Sequence, residues 1–144
     1  NTDGTTIYYE QETGTDQVDA GGAITAVVAN ILSGDFDITQ KRSAQGQVMG
    51  MPDLRGDGEF IMKIRRFVPD FITQTGDTQV SLITRNFPND SAVTTSFTIT
   101  SASDKIDTRV RARSIALKIA NTSSAEDWKL GTFRLDIQPD GRRG

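Results

Sequence analysis

From residue 59 onward the chain is written in short runs of alternating apolar and polar residues, cut by turn formers. That period of two specifies strands. Glu59–Val68 sets Phe60, Met62 and Ile64 on one side, and Pro69-Asp70 ends the run. After a turn at Gly76-Asp77, Gln79–Thr84 alternates Val80 and Leu82 with Ser81 and Ile83. Phe87-Pro-Asn-Asp90 is a further turn, and Thr94–Ser101 is a Thr-rich strand with Phe97 and Ile99 on one side. Ile106–Val110 leads into Arg109-Val-Arg-Ala-Arg113, and the last two strands are expected at about Arg113–Ala120 and Thr132–Gln138. Turns at intervals of about 8–12 residues, with about seven to nine short strands, predict an all-β fold, an antiparallel β-sandwich or related barrel. No segment carries a sustained 3.6 period; Ser123-Ser-Ala-Glu-Asp127 has room for one helical turn.

The 144 residues amount to about one domain, and a chain of that size buries roughly two-thirds of its unfolded surface. The hydrophobic fraction of 35% suits sheets with one solvated face. There is no apolar run long enough to cross a bilayer, hence no expected membrane anchor, and no secretory-type start. The first residue is Asn1, which favours a piece of a longer chain. Cys and His are both absent, so disulfides, thiolate metal sites and any Ser-His-Asp or Cys-His mechanism within this chain are excluded.

Charge is unevenly spread. Residues 1–40 contain seven acids (Asp3, Glu10, Glu12, Asp16, Asp19, Asp35 and Asp37) and no Lys or Arg, whereas the rest carries all 16 basic groups against 12 acids. An acidic start of this kind either meets a basic surface, on this chain or a neighbour, or stays a solvated arm. Eleven of the basic residues are Arg, the side chain best suited to packed carboxylate contacts.

Residues 1–22 read as an acidic extended arm and 23–144 as the sandwich-like domain. Ala23–Leu32 has small and apolar residues on both faces, the pattern of a buried strand, although a short helix fits its composition too. Ser33-Gly34-Asp35 ends it, and Phe36 and Ile38 start another short strand. Residues 39–58 are rich in turn formers and are expected to form an exposed loop.

Arg109, Arg111 and Arg113 share parity, and the same parity carries Ile115, Leu117 and Ile119. Either a bulge near Ala112–Ser114 flips the pattern or one strand passes from an exposed rim into the core. The Arg stripe can hold carboxylates of a neighbouring subunit, touch DNA phosphates, or serve as a solvated edge that discourages aggregation. Trp128, Leu130, Phe133 and Leu135 are expected in the core, Trp128 as a plug at a strand entry; a sugar- or base-stacking Trp is the alternative. Pro139-Asp140-Gly141 signals a turn, followed by the basic pair Arg142-Arg143. Asp53, Asp57 and Glu59 lack calcium-loop spacing, and Arg55-Gly56-Asp57 is accounted for by a turn. No catalytic residue, metal ligand or cofactor is expected, and the chain is not expected to be an enzyme. With a pI near 4.9 it is a poor general nucleic-acid binder.

The order of several segments resembles a known one: Ile64-Arg-Arg-Phe67, Pro69-Asp-Phe71, Arg85-Asn-Phe-Pro88, Arg109-Val-Arg-Ala-Arg113, Ala116-Leu-Lys-Ile119, Trp128-Lys-Leu-Gly131 and Arg134-Leu-Asp-Ile-Gln-Pro-Asp-Gly-Arg-Arg143. Together these look like the C-terminal region of large tail structural proteins of podovirus-type bacteriophages, of the tail hub, tail nozzle or head–tail DNA-stabilisation type. The resemblance covers roughly residues 22–143. The family often has Gly where Ala112 stands here. The resemblance implies a virion component in the phage tail: a homo-oligomeric ring contacting other tail or portal and adaptor proteins, with possible transient contact with DNA in the lumen. Arg109, Arg111, Arg113, Arg142 and Arg143 would then face subunits or the lumen. Readings from other classes are a carbohydrate- or receptor-binding module of a tail fibre or spike, and a polysaccharide-cleaving spike enzyme.

Overall fold

The structure is a computed structural model; it describes residues 16–18, 21–38 and 60–142, without the side chain of Arg142. Every regular element among the described residues is a strand. In chain order they are β1 (Asp16–Val18), β2 (Ile24–Ala26), β3 (Asn30–Leu32), β4 (Phe60–Val68), β5 (Phe71–Thr75), β6 (Thr78–Arg85), β7 (Val93–Ile99), β8 (Ile106–Ala112), β9 (Ser114–Ala120), β10 (Asp127–Leu130) and β11 (Arg134–Arg142). The all-β expectation holds, with 11 strands in four antiparallel sheets in place of seven to nine. The surplus comes from very short elements. Phe71-Ile-Thr-Gln-Thr75 and Asp127-Trp-Lys-Leu130 carry too few residues to declare a period, and they become strands by pairing with each other.

Two sheets make the sandwich. One has the order β3-β9-β6-β7 and the other β11-β4-β8, while β1-β2 and β5-β10 are two-stranded ribbons. The inward residues of both sheets share one buried cluster: Met62, Ile64 and Phe67 from β4, Ala112 from β8, Val80 and Leu82 from β6, Ile99 from β7, and Ile115, Leu117 and Ile119 from β9. Burying each large aliphatic or aromatic side chain contributes about 1.5–3 kcal/mol. Trp128, Leu130, Phe133 and Leu135 are half-buried and pack against that cluster. Trp128 stands edge-on to Phe71, ring centroids 6.4 Å apart, and Phe133 lies 6.0 Å from Phe67.

Two connections explain how the chain turns corners. Gly131 N–H donates to Asp70 O at 2.8 Å, and a Cβ at 131 would stand 2.7 Å from that same oxygen, so only Gly allows the approach. At the β6–β7 hairpin, Asp90 N–H donates to Phe87 O at 3.0 Å while Phe87 N–H donates to the Asp90 carboxylate at 3.0 Å, closing the turn from both ends.

Several expectations need correction. Ala23–Leu32 is not a buried strand. It is split into β2 and β3 and lies on the surface, with Ile24 65% and Leu32 58% exposed. Phe36 makes a single bridge to Ile115 and does not start a strand, although Ile38 is buried in the core. Ser123–Asp127 is a bend and turn with Ala125 at φ +59°, ending where β10 begins at Asp127, not a helical turn. Pro139-Asp140-Gly141 does not reverse the chain. The register of β11 against β4 shifts between Pro139 and Arg142, with Gly141 at φ +94°, so the signal marks a bulge in an edge strand. Most of the N-terminal arm, the 39–58 loop, Asp53, Arg55, Gly56, Asp57, Glu59 and Arg143 lie outside the described residues.

Candidate binding surface

The charged residues gather on the outer face of the β11-β4-β8 sheet. In β8 the burial alternates, with Ile106, Thr108 and Val110 turned inward and Asp107, Arg109 and Arg111 outward. Beside them β4 carries Lys63, Arg65 and Arg66. Two consecutive exposed Arg residues in one strand require a break in alternation. The break is there: the register against β8 shifts between Ile64 and Arg66, and β11 shifts opposite the same place. Ile64 and Phe67 can therefore both be buried while Arg65 and Arg66 both face out.

Lys63, Arg65, Arg66, Asp107, Arg109 and Asp136 line a shallow groove on this face, with four cations against two carboxylates. Arg66 Nε donates to Asp107 Oδ1 at 2.8 Å. That hydrogen bond, followed by the attraction of the Arg66 charge and of neighbouring Lys105 and Arg65, holds the Asp107 carboxyl below its ordinary range despite an opposing desolvation effect. The same hydrogen bond raises the Arg66 guanidinium. Arg111 Nε pairs with Asp140 Oδ2 at 2.5 Å, tying β8 to the bulged end of β11. The surface suits a carboxylate or phosphate that can compete for the Arg forks; exposed pairs of this kind hold their partners loosely.

The Arg stripe is not one face. Arg109 and Arg111 lie outward on β8, but the chain leaves that strand after Ala112 and enters the other sheet at Ser114. Of the two sequence alternatives, the flip near Ala112–Ser114 is the one realised, as a change of sheet and not as a bulge. Arg113 sits in the crossover, its guanidinium 5.2 Å from the ring centroid of Phe87, a cation–π arrangement. Ala112 is buried and has no positive φ, so Ala at this position introduces no backbone strain. Ile115, Leu117 and Ile119 are in the core. Arg142 closes β11 opposite Phe60.

Three contacts had no local signal in the sequence. Arg85 Nη1 reaches both carboxylate oxygens of Asp35 at 2.8 Å, 50 positions away. The Asp16 carboxylate accepts from Ala125 N–H at 2.7 and 2.9 Å, bringing the β1–β2 ribbon to the β9–β10 turn. Buried Asn121 clamps the segment between β2 and β3: Oδ1 accepts from Ala29 N–H at 2.5 Å, Nδ2 donates to Val27 O at 2.8 Å, and its backbone N–H donates to Ala29 O at 3.2 Å. A plain Asn after a strand reads as a turn former, and nothing nearby announces partners some 90 positions upstream.

Among the described residues, no three or more His, Cys, Asp or Glu side chains are placed to share a cation, and no helix is long and apolar enough to cross a membrane. No protein-family model matches the chain, and the search of curated proteins found no match.

Proposed function

We propose that this chain is a structural component of a tailed-bacteriophage virion, packing as one subunit of a homo-oligomeric part of the tail tube, hub, nozzle or connector and contacting neighbouring tail proteins. The observation that carries the assembly reading is the apolar surface of β1–β3. Val18, Ile24, Val27, Val28, Ile31 and Leu32 are all about half exposed or more. An apolar stretch with the composition of a buried strand, held at the surface by Asn121, has the character of surface covered in an assembly. The tail setting is supported by the ordered motifs running from Ile64-Arg-Arg-Phe67 to Pro139-Asp-Gly-Arg-Arg143.

Under this reading Arg109 and Arg111 meet carboxylates of an adjacent subunit or phosphates in the lumen. The half-buried Trp128, edge-on to Phe71, is spent on packing, which weighs against Trp128 as a sugar-stacking platform. The test is peptide mass spectrometry of gradient-purified phage particles, with and without Arg109→Glu in the chain. The expected result is several copies of the chain per particle and fewer intact particles from the variant. Absence of the chain from purified particles would refute the proposal.

A further inference from the structure

The sandwich has four long or short edges, and they are not alike. The β11 edge carries Pro139, two register shifts and the charges of Arg134, Asp136 and Asp140. The β8 edge alternates Asp107, Arg109 and Arg111 and has its own register shift. Those are the devices by which natural sheets prevent strand-to-strand association. The β7 edge has none of them. From Ser91 to Ser103 there is no charge and no Pro, and β7 pairs with β6 over all seven residues in unbroken register. Among the described strands β6 is its only partner. At the opposite edge of the same sheet, β3 is paired only with β9 among the described strands.

We infer that β7 of one copy pairs with β3 of a second copy, continuing the β3-β9-β6-β7 sheet head to tail from subunit to subunit. The inference rests on the assembly reading above and identifies the surfaces that build the oligomer.

Strand direction supports it. Every neighbouring pair in the sheet is antiparallel and there are four strands, so β3 and β7 run in opposite directions. A second copy set beside β7 in the same orientation presents its β3 antiparallel to β7, the pairing used everywhere else in the sheet. Repetition of one such heterologous contact generates a ring where the rotation closes.

Side-chain rows support it as well. Ile31, Ile119, Val80 and Phe97 are aligned across the four strands and face the same way. Ile119 and Val80 are fully buried, but Ile31, at the end of the row, is 48% exposed. Val93, at the β7 end of the Phe36-Ile115-Thr84-Val93 row, is 64% exposed. Both rows end in apolar residues at each edge, and head-to-tail continuation sets Ile31 of one copy against the half-buried Phe97 of the next, and half-buried Phe36 against Val93.

Charge is compatible. Residues 21–38, which contain β3, have Asp35 and Asp37 as their only charged groups. The open cleft between β7 and β8 is lined by Val93, Thr95 and Phe97, and its charged rim is Arg109, Arg111 and Asp107. Asp35 and Arg111 are already paired within the subunit, with Arg85 and Asp140, so the complementary charges left at this contact are Asp37 and Arg109.

The chain has no cysteine, which makes disulfide trapping clean. Leu32 and Ser96 lie in one outward-facing row and both are exposed. The experiment combines Leu32→Cys with Thr94→Cys, Ser96→Cys or Thr98→Cys in turn, oxidises the native-length chain, and reads non-reducing gels alongside native mass spectra; circular dichroism checks that each variant is folded. The expected result is a ladder of cross-linked multimers for one of the three double variants, with each single variant uncross-linked, because a disulfide needs Cα atoms within about 7 Å. Cross-linked dimers from Ser96→Cys alone would overturn the inference in favour of two-fold β7–β7 pairing. Oligomers that resist all three cross-links would overturn the inference and leave the assembly reading standing. A monomer at all concentrations would overturn both.

Discussion

Replacing Asn121 by Ala should release the surface segment on which the assembly reading depends. Two side-chain hydrogen bonds disappear, to Ala29 N–H at 2.5 Å and to Val27 O at 2.8 Å, while the backbone bond from Asn121 N–H to Ala29 O can persist. Each lost bond costs about 1 kcal/mol net, because the freed groups lie at the surface and regain water. The sum is about 2 kcal/mol. For a domain of this size that lowers Tm by roughly 6–8 °C. Chemical denaturation gives the energy, and amide hydrogen exchange gives the location. Ala29 N–H should exchange faster while amides of β6 and β9 keep their order of protection. A cost below about 0.5 kcal/mol, with Ala29 still protected, would refute the clamp.

Other perturbations test the fold and the charged face. Gly131→Ala places a methyl 2.7 Å from Asp70 O and should cost about 1–3 kcal/mol by urea denaturation; an unchanged midpoint would contradict the close approach. Thr78 is buried and its hydroxyl has no hydrogen-bond partner among the described residues, so Thr78→Val should be neutral or stabilising by up to about 1 kcal/mol; a clear loss of stability would show that the hydroxyl is satisfied. In a carboxyl NMR titration Asp107 should ionise below the ordinary value of about 3.9, and Arg66→Gln should move it upward. Because the folded-state value is the lower one, the pair's stabilising contribution is present above the unfolded-state value and is lost as pH falls through the folded-state value.

The sandwich was legible where a strand is long and half-buried. Phe60, Met62 and Ile64 alternate with half-buried neighbours, and Val80 and Leu82 are buried as the period requires, although Ser81 between them is buried too. The Phe87–Asp90 turn declared itself through Pro88 and Asp90, whose carboxylate does close it. What could not be read was set by partners distant in sequence. Arg113 and Ser114 carry no turn chemistry, yet the chain changes sheets there because Ile115, Leu117 and Ile119 are placed between β3 and β6. The Arg stripe consequently lost its third member to Phe87.

Exposure was the other thing hidden. Ala23–Leu32 has the composition of a buried strand, and composition alone cannot distinguish a buried strand from an apolar stretch held at the surface. The Pro-Asp-Gly close shows a related ambiguity. A positive-φ Gly serves a bulge as well as a turn, and only the continued pairing of Arg142 with Phe60 decides between them.

The central claim is that the exposed apolar and charged surfaces serve self-assembly. Native mass spectrometry of the purified chain, over a range of protein and salt concentrations, tests it most directly. The account predicts an oligomer of defined copy number whose abundance rises with protein concentration. A monomer that persists throughout that range would contradict it.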